Sequence, residues 1–397
     1  MKLRASYGVV GNQSGIDRYD GVQLYNVKTG GGVLLDGQKV TTIDTNGKIV
    51  STDRTWERIH NYNIGVDFGF LNNRLTGTVD VFWKRNNNML IAAQYPGILG
   101  DSAPAANIGK FKSNGWNGSI TWQDKIGDFS YHVGGTFTFS SDEVTDIGST
   151  SIISAGGPKT MQGYPLSSYF GLQYIGKIQT EEELKKYTNL YKANNAIGWT
   201  KDLRLGDNMY ADVNEDGVLD QKDMVYLGSD NPKISYSFNL GFEWKGFDAS
   251  AIFQGAADRT IFRSDDNWRV PFHSLYLNQL TYTIGKTWSP ENPDAYYPAY
   301  TTDKDINAYN YQISSWSVEN GAYIRLKNLT VGYTLPQSWL AKTGFIQKLR
   351  IYFVGTDLWE HSKIRDGWDP EQTSNVSSGI QRYPFNRTYT VGLNVTF

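Results

Sequence analysis

The amino-acid sequence predicts an all-β fold, a transmembrane antiparallel β-barrel to which this chain contributes about ten spanning strands with long extracellular loops. Apolar residues alternate with Ser, Thr, Asn and Gly along about ten segments, which is the period of a strand with two different faces. Aromatic residues gather near the ends of these segments, where a barrel meets the two membrane surfaces. Short connections alternate with long ones, as they do in outer-membrane barrels.

The alternation is clearest in residues 234–244, where every second residue from Ile234 to Trp244 is apolar and the residues between are Ser, Asn, Gly and Glu. The same pattern occupies 61–70, 129–139 and 388–397. Weaker alternation marks the other strands, at about 2–10, 73–85, 109–122, 247–257, 321–335 and 346–356. Together these segments make about ten long strands.

Two interpretations of these strands remain open from the residues alone. In a soluble β-sandwich the apolar face is the core, and the outer face is normally rich in Lys and Glu. In a membrane barrel the apolar face meets lipid and the inner face is polar. Here the polar face consists mostly of Ser, Thr, Asn and Gly, which favours the barrel. The aromatic residues near strand ends include Trp56, Trp83, Trp122, Trp244, Tyr323 and Tyr333.

The lengths of the connections give the orientation of the strands. Outer-membrane barrels have short turns on the periplasmic side and long loops outside. The short connections are 71–73, 123–127, 245–246 and 336–345, and the long ones are about 11–54, 86–108, 141–232, 258–320 and 357–386. Short and long alternate without a break if the first strand runs outward, so the last strand is expected to run inward to a periplasmic end.

The longest loop, 141–232, is too long to lack structure of its own in a compact protein. Thr180, followed by three Glu residues, predicts a short helix with Thr180 as its N-cap. Residues 168–178 (SYFGLQYIGKI) are interpreted as a strand that projects above the membrane.

The composition excludes several classes of function. The 397 residues include 38 Lys and Arg against 40 Asp and Glu, and a protein that binds nucleic acid would need a basic surface. The absence of Cys excludes thiolate metal sites and cysteine nucleophiles. No Ser lies in a G-x-S-x-G turn, and we do not predict an enzyme. The segment MKLRASYGVVGNQ lacks the apolar region of a signal peptide and begins as a strand, so a fragment is expected.

A calcium-binding loop is the sharpest local motif. Residues 212–223 (DVNEDGVLDQKD) place oxygen donors at loop positions one, three, five, nine and twelve, with Gly217 at the sharp turn. Hard oxygen donors of this kind suit Ca²⁺ better than a transition metal. The predicted ligands are Asp212, Asn214, Asp216, Val218 (through its carbonyl), Asp220 and Asp223. Position twelve is Asp rather than Glu, and the alternative is an Asx-rich turn satisfied by its own backbone.

Aromatic residues are frequent in loop 258–320, and aromatic faces stack on sugar rings. The candidate substrate-binding residues are Trp268, Trp288, Tyr296, Tyr297 and Trp316. The alternative is that these rings pack the loop itself or the surface of a partner. In the following loop, the segment Asp369-Pro370-Glu371 is expected to form a turn, because Pro sets the backbone geometry.

Six stretches of the sequence resemble a known protein family, and this resemblance is independent of the alternating pattern. They are LRASYGVVGNQ (3–13), TWERIHNYNIGVDFGFLNNRLTGTVDVFWKRNNNML (55–90), DVNEDGVLDQKD (212–223), NPKISYSFNLGFEWKGFDASAIFQG (231–255), AYIRLKNLTVGYTLP (322–336) and YPFNRTYTVGLNVTF (383–397). In combination they resemble the C-terminal barrel portion of SusC/RagA-type TonB-dependent outer-membrane transporters of Bacteroidetes.

The resemblance implies a location in the cell outer membrane, in contact with its lipid, and TonB-dependent import of a glycan, an oligosaccharide or a peptide. It also implies a SusD-like surface lipoprotein over the extracellular mouth, and a TonB complex acting through parts missing from this chain. Residues 1–397 would be one partial barrel domain with 141–232 as a loop insertion, and the plug and N-terminal domains are expected to be absent. About ten strands of a barrel of about 22 leave two open edges, so more chain or a second polypeptide would complete the wall.

A function of another class also fits the residues: a soluble or surface-attached β-rich module, stabilised by calcium, that binds glycans through its aromatic loops. The two hypotheses differ in the position of the apolar face. In the barrel Phe238, Leu240 and Phe242 face lipid, whereas in the module they form the core.

Overall fold

The computed structural model describes residues 1–16, 18–29, 34–44, 50–51, 53–92, 104–148, 156–192, 202–262, 281–365, 368–372 and 385–397. Its helices are α1 (Glu181–Lys192), α2 (Lys304–Asn310) and α3 (Gln337–Leu340). Within the described residues, no helix is both long enough and apolar enough to cross a membrane.

Strands make up most of the fold. In chain order they are β1 (Lys2–Asn12), β2 (Asn26–Lys28), β3 (Leu34–Leu35), β4 (Gln38–Lys39), β5 (Thr42–Asp44), β6 (Glu57–Phe70), β7 (Leu75–Ala92), β8 (Ala105–Ile126), β9 (Phe129–Asp146), β10 (Gly156–Lys159), β11 (Ser168–Leu172), β12 (Tyr174–Lys177), β13 (Asn208–Tyr210), β14 (Met224–Ser229), β15 (Ile234–Trp244), β16 (Phe247–Ala257), β17 (Thr260–Phe262), β18 (Val318–Asn320), β19 (Tyr323–Thr334), β20 (Lys348–Ser362) and β21 (Thr388–Thr396). A single sheet of ten strands has the order β1-β6-β7-β8-β9-β15-β16-β19-β20-β21. The ten predicted spanning strands are therefore confirmed, each antiparallel to the next.

Several strands extend farther toward the extracellular side than the alternation predicts. β7 has 18 residues and β8 has 22, whereas about 9–11 tilted residues cross a membrane. Both ends of the predicted loop 86–108 consequently belong to strands, and residues 93–104 lie between β7 and β8. Above the membrane both faces of a strand can meet water, so polar residues such as Asn86, Asn87 and Asn88 hide the alternation there.

The two faces of the sheet differ as the alternation predicts. Leu240 of β15 lies opposite Val133 of β9 and Ala251 of β16, so an apolar row crosses the three strands. Leu240 is 44% exposed and Val133 is 54% exposed, so the described part of the chain leaves the large side chains of this row uncovered. The hydrophobic clusters of the described residues lie in the loops. An exposed apolar face fits a barrel in lipid and does not fit the soluble module, in which it would be the core.

The short turns depend on left-handed backbone conformations. Lys245 has φ of 46° and Gly246 has φ of 89°, which is the geometry of a two-residue type I′ turn, the turn that matches the twist of paired strands. This predicted connection is confirmed at its full length. The predicted connection 123–127 is shorter in the structure, because β8 continues to Ile126.

Loop 141–232 contains more structure than the sequence analysis assigns to it. The expected strand 168–178 is two strands, because the chain changes partners at Gln173: β11 pairs with β14, and β12 pairs with β13. The predicted helix is confirmed as α1 and is longer than expected. Thr180 is its cap: the Thr180 Oγ1 accepts from the Glu183 N–H at 3.2 Å, and the Glu183 carboxylate accepts from the Thr180 N–H at 3.2 Å.

The sheet has two edges, β1 and β21, each paired on one side within the chain. Lipid offers no hydrogen-bonding groups, so the free side of an edge strand must find another strand before it can face a membrane. The completion of the wall by more chain or by a second polypeptide stays a prediction.

We expect Leu240→Arg to prevent stable insertion into the membrane, because a charged side chain facing lipid near the middle of a strand costs about 2–4 kcal/mol. The matched control is Asn239→Arg, which places the same charge one residue away on the water-facing side and should insert normally. The measurement is the amount of heat-modifiable, protease-resistant protein in outer membranes. Equal insertion of the two variants would contradict the assignment of the faces.

Candidate functional site

Two long loops pack together into one folded unit at the extracellular end of the sheet. We call this unit the loop domain and define it as the described residues of 156–230 and 281–320. Its hydrophobic core draws on both loops and contains Leu172, Ile178, Tyr187, Leu203, Tyr210, Leu219 and Tyr309. Burial of these side chains stabilises the packing of the two loops against each other.

Buried amides join the two loops of this domain. Asn310, at the end of α2, accepts from the Asn208 N–H at 2.7 Å and donates to the Asp207 carboxylate at 2.8 Å. The Asn208 side chain donates to the Asn310 carbonyl oxygen at 2.7 Å. All three residues are fully buried, so these hydrogen bonds replace contacts with water and fix the two loops in one relative position.

The carboxyl group of Asp207 couples this junction to pH. Burial raises the pKa of Asp207 above its ordinary value, although Asn310 and Arg204 donate hydrogen bonds to its carboxylate. A carboxyl group with a raised pKa holds its proton more tightly in the folded state than in the unfolded state. The contribution of Asp207 therefore becomes less favourable to folding as the pH rises from the ordinary value of about 3.9 through the raised pKa.

Three of the candidate aromatic residues form a cluster inside the loop domain. Tyr296 stacks on Trp316 with 4.9 Å between ring centroids, and Tyr297 meets both rings edge-on. Tyr297 is 4% exposed and Trp316 is 8% exposed, so the domain itself covers most of both rings. Packing is therefore one role of these two side chains, as the alternative interpretation expects.

Trp288 and Tyr296 are less buried than Tyr297 and Trp316. Trp288 is half-buried against the cluster: its N–H donates to the Tyr297 carbonyl oxygen at 2.9 Å, and its indole donates to Gln179 Oε1 at 2.8 Å. Tyr296 is half-buried beneath Arg365, whose guanidinium carbon lies 3.7 Å from the ring centroid. Trp268 lies outside the described residues. The structure thus brings the four described candidates together, and their contact with substrate stays a prediction.

The predicted calcium loop is a compact turn held by its own backbone. Asp223 is fully buried, and its carboxylate accepts from the N–H groups of Val213 at 2.8 Å and Asp220 at 2.7 Å. Asp212 accepts from the Gly217 N–H at 2.8 Å. Gly217 has the left-handed φ of 81° that the sharp turn requires. These contacts fix the shape of the loop.

The middle of the loop is strongly acidic. Asn214 Oδ1 accepts from the Asp216 N–H at 3.1 Å, and Asp216 Oδ1 accepts from the Val218 N–H at 3.0 Å. The Lys222 ammonium lies 3.4 Å from Asp216 Oδ2. Partial desolvation opposes ionisation of Asp216, but the hydrogen bonds from the loop and from Lys222 prevail and lower its pKa. The carboxylate is therefore ionised at neutral pH, as a ligand of a divalent cation must be.

The donor set fits a divalent cation in part. Asp212 Oδ1 is buried and has no hydrogen-bond partner, which is costly for a carboxylate oxygen unless a cation or water meets it. Asp220 Oδ2 lies 3.9 Å from the Lys222 ammonium, so a cation already approaches this side of the loop. Within the described residues, no three acidic or His side chains converge as a ready metal cluster. Calcium binding stays a prediction.

An ionic cluster on the lumen-facing side of the sheet was not predicted from the sequence. Arg325 of β19 is 1% exposed, and its guanidinium contacts Glu360 at 2.6 Å, Asp369 at 2.9 Å and Glu371 at 2.9 Å. Its two neighbours in the strand belong to the outward apolar face, so Arg325 belongs to the inner one. Lys327 contacts the Glu371 carboxylate as well, at 3.1 Å.

The Asp369-Pro370-Glu371 segment is therefore fastened to the wall and is more than the turn predicted for it. Asp369 Oδ1 accepts from the Glu371 N–H at 2.9 Å in addition to its contact with the wall. Arg259 donates to the Pro370 carbonyl oxygen at 2.7 Å and to the Asp230 carboxylate at 3.0 Å. The segment thus connects the inner wall, the end of the loop domain and the last long loop.

Comparison with known proteins gives relatives along the whole chain. TonB-dependent receptor P26 of Formosa agariphila is 26% identical over 421 residues, covering 100% of this chain and 40% of the relative. TonB-dependent receptor SusC of Bacteroides thetaiotaomicron is 23% identical over 411 residues, covering 100% of this chain and 37% of the relative. A structure of the RagAB peptide transporter superposes with a TM-score of 0.75 at 24% identity and covers 100% of this chain and 40% of that chain. No family model matches the sequence.

Fold and similarity together define the class of protein: the chain is part of an outer-membrane β-barrel with the fold of a TonB-dependent transporter. The resemblance to the SusC/RagA family is confirmed over the whole chain. The chain spans about two fifths of the length of these relatives. Its location is the outer membrane, where the outward apolar face meets lipid.

We expect Arg325→Met to release the Asp369-Pro370-Glu371 segment from the wall. Removing one partner of a buried ionic cluster leaves its carboxylates uncompensated and costs about 3–5 kcal/mol. The control is Arg387→Met, because Arg387 is about half exposed and lies 3.8 Å from Glu360. Hydrogen–deuterium exchange of residues 368–372 would increase in the first variant only. Unchanged protection in Arg325→Met would show that the cluster does not hold the segment.

Proposed function

We propose that this chain forms part of the wall and of the extracellular mouth of a TonB-dependent importer for oligosaccharides or peptides, which works with a SusD-like lipoprotein. The observation that carries the proposal is the sheet itself, whose outward face is apolar and exposed and whose other face is polar. Such a wall is bounded by lipid and encloses water. Its role is recognition and passage of a cargo, and no chemical step is assigned to it.

The lumen-facing side chains suit a cargo without a large net charge. Arg4 contacts Asp67 at 2.8 Å and Asp80 at 2.9 Å, and Arg350 contacts Asp248. The other inward positions are mainly Ser, Thr, Asn and Gly. Because these charges are paired within the wall, hydroxyl and amide groups remain for hydrogen bonds to sugar hydroxyls or to a peptide backbone.

Different observations support the two cargo classes. The half-buried indole of Trp288, beside the aromatic cluster, supports an oligosaccharide, because a partly exposed aromatic ring can stack on a sugar ring. The similarity in fold to the RagAB peptide transporter supports a peptide. Both classes bring many hydrogen-bonding groups, so the polar lumen does not separate them.

Exposed apolar side chains support a protein partner at the extracellular side. The first long loop leaves a group of large side chains uncovered by the described part of the chain: Tyr19, Val22, Leu24, Tyr25, Val27, Leu34, Leu35 and Ile43. Outside the membrane, patches of this kind are typical of protein–protein contacts. We assign the SusD-like lipoprotein to this side of the barrel. We also propose that the TonB complex supplies the energy for import, as the similarity to TonB-dependent receptors suggests.

We further propose that residues 212–223 bind one Ca²⁺ that stiffens the loop domain. Asp212 would supply its unpartnered Oδ1, with Asn214, Asp216, Asp220, Asp223 and the Val218 carbonyl as the remaining ligands. Leu219, inside the loop, is fully buried in the core of the loop domain. Ordering the loop therefore orders the core as well, and the ion would stabilise both.

We expect Asp212→Asn to weaken Ca²⁺ binding by roughly tenfold or more, because affinity in such loops depends on ligand charge. The matched control is Glu215→Gln, which removes the same charge at a position without a predicted ligand role. Terbium luminescence and calorimetric titration measure the affinity. EDTA should lower the melting temperature of the wild type and of the control variant, and it should have a smaller effect on Asp212→Asn. A wild type that binds no Ca²⁺ would contradict the calcium site and leave the importer proposal unaffected.

Uptake by cells tests the import function. A strain that lacks the gene should fail to take up one class of fluorescent cargo, oligosaccharide or peptide, and the wild-type gene should restore uptake only while the membrane is energised.

If the cargo is an oligosaccharide, Trp288→Ala should weaken its binding by about three- to tenfold through lost stacking. Tyr300→Ala, an exposed aromatic residue of the same loop, is the control. Normal uptake of both classes without the gene would contradict the proposal.

A further inference from the structure

The outward surface of β1, β6 and β7 carries an aromatic groove near its extracellular end. Tyr7, Tyr62 and Trp83 lie side by side in the register of the three strands. All three are exposed, and the rings of Tyr7 and Tyr62 are 4.9 Å apart. With Ile64 they line a groove of ≈ 550 Å³. Aromatic belts mark the level at which the hydrocarbon of a membrane meets the head groups, so the groove opens toward acyl chains.

Immediately beyond the groove the same face becomes basic. His60 lies opposite Arg85, and Arg85 lies opposite Lys112 of β8. Arg58 occupies the next outward-facing position of β6. Two residues along a strand span about 7 Å, so this basic row stands one step above the aromatic row, at the level of lipid head groups.

Two of these cations have no carboxylate partner in the part of the chain that the structure describes. Lys112 is paired with Glu143 at 2.8 Å. Arg85 donates from Nη1 to the neutral Asn114 Oδ1 at 2.7 Å, and its Nε and Nη2 have no acceptor among the described residues. Arg58 is exposed and uses only its backbone N–H in a described hydrogen bond. The row therefore carries uncompensated positive charge.

Several other cations of the same sheet have carboxylate partners within the described residues. At the outer ends of β15 and β16, Lys233 pairs with Asp258 at 2.9 Å. On the lumen side, Arg4 and Arg325 each contact more than one carboxylate. Arg58 and Arg85 are the arginines that stand next to the groove, and their guanidinium groups have no carboxylate partner among the described residues.

We propose that this part of the wall binds a phosphorylated lipid of the outer leaflet. One acyl chain lies in the groove of Tyr7, Tyr62 and Trp83, and the phosphoryl group lies between Arg85 and Arg58. Guanidinium groups bind phosphate oxygens through paired, charge-assisted hydrogen bonds. The proposal rests on the orientation of the strands in the membrane and is independent of the cargo and of calcium.

The test compares lipid retained by the full-length protein after extraction from outer membranes in mild detergent, measured by mass spectrometry. The double variant Arg58→Gln/Arg85→Gln should retain at least about tenfold less phosphorylated lipid, because charge-assisted hydrogen bonds are lost. Arg58→Gln alone should retain an intermediate amount, and its folding is protected because its side chain forms no described contact. The matched control is Lys245→Gln, which removes a cation beside Trp244 at the periplasmic end and should change nothing.

A second arm identifies the source of the phosphoryl group. In nanodiscs, the wild type should bind the phosphorylated lipid and not its dephosphorylated counterpart, and millimolar inorganic phosphate should not displace it. Equal lipid retention by the wild type and both arginine variants would overturn the proposal. Binding of the dephosphorylated lipid, or displacement by free phosphate, would overturn it as well.

Discussion

A peptide group that leaves water for lipid loses its hydrogen bonds and finds none in the hydrocarbon, so its N–H and C=O must be paired within the protein. The whole arrangement of this chain follows from that requirement. Every strand between the edges β1 and β21 is paired on both sides, and each pairs with the next spanning strand along the chain. Turns as short as Lys245-Gly246 are the simplest way to connect such neighbours, and they need the left-handed conformations seen there.

The same requirement moves the hydrophobic core out of the sheet. A spanning strand gives its apolar side chains to lipid, so none of them is left to pack a core beneath the loops. The loops form a hydrophobic core of their own, in which Tyr309 of α2 packs with Leu172 and Tyr210 from another loop. Buried polar residues then define how the loops meet, because Asn310 is satisfied only when Asp207 and Asn208 are in place. A mouth built in this way can differ in shape from one barrel to another without any change in the wall.

The features that the sequence predicts are those that depend on adjacent residues, and several of the features that were missed depend on residues distant in the sequence. Period two depends on adjacent residues, and the predicted strands 234–244 and 247–257 have the observed bounds of β15 and β16. The outer ends of β7 and β8 were missed, because alternation disappears where both faces meet water. The exchange of partners at Gln173 was also missed, since it depends on strands distant in the sequence. The turn at Asp369-Pro370-Glu371 is local and was predicted correctly. Its contact with Arg325, which joins residues 44 positions apart, was missed because it depends on which way each side chain faces.

The faces of the sheet also explain why identical side chains have different partners. Arg325 is buried among groups that exclude water, and a charge in that position is tolerated only with carboxylates around it. Arg58 and Arg85 lie on the face that meets the membrane, above an aromatic row. There the protein does not have to supply the opposite charge, because the head-group layer contains it. An arginine without a carboxylate partner is therefore destabilising where it is buried on the lumen-facing side, and it is a binding group on the lipid-facing side. The register of the strand decides which face the arginine occupies.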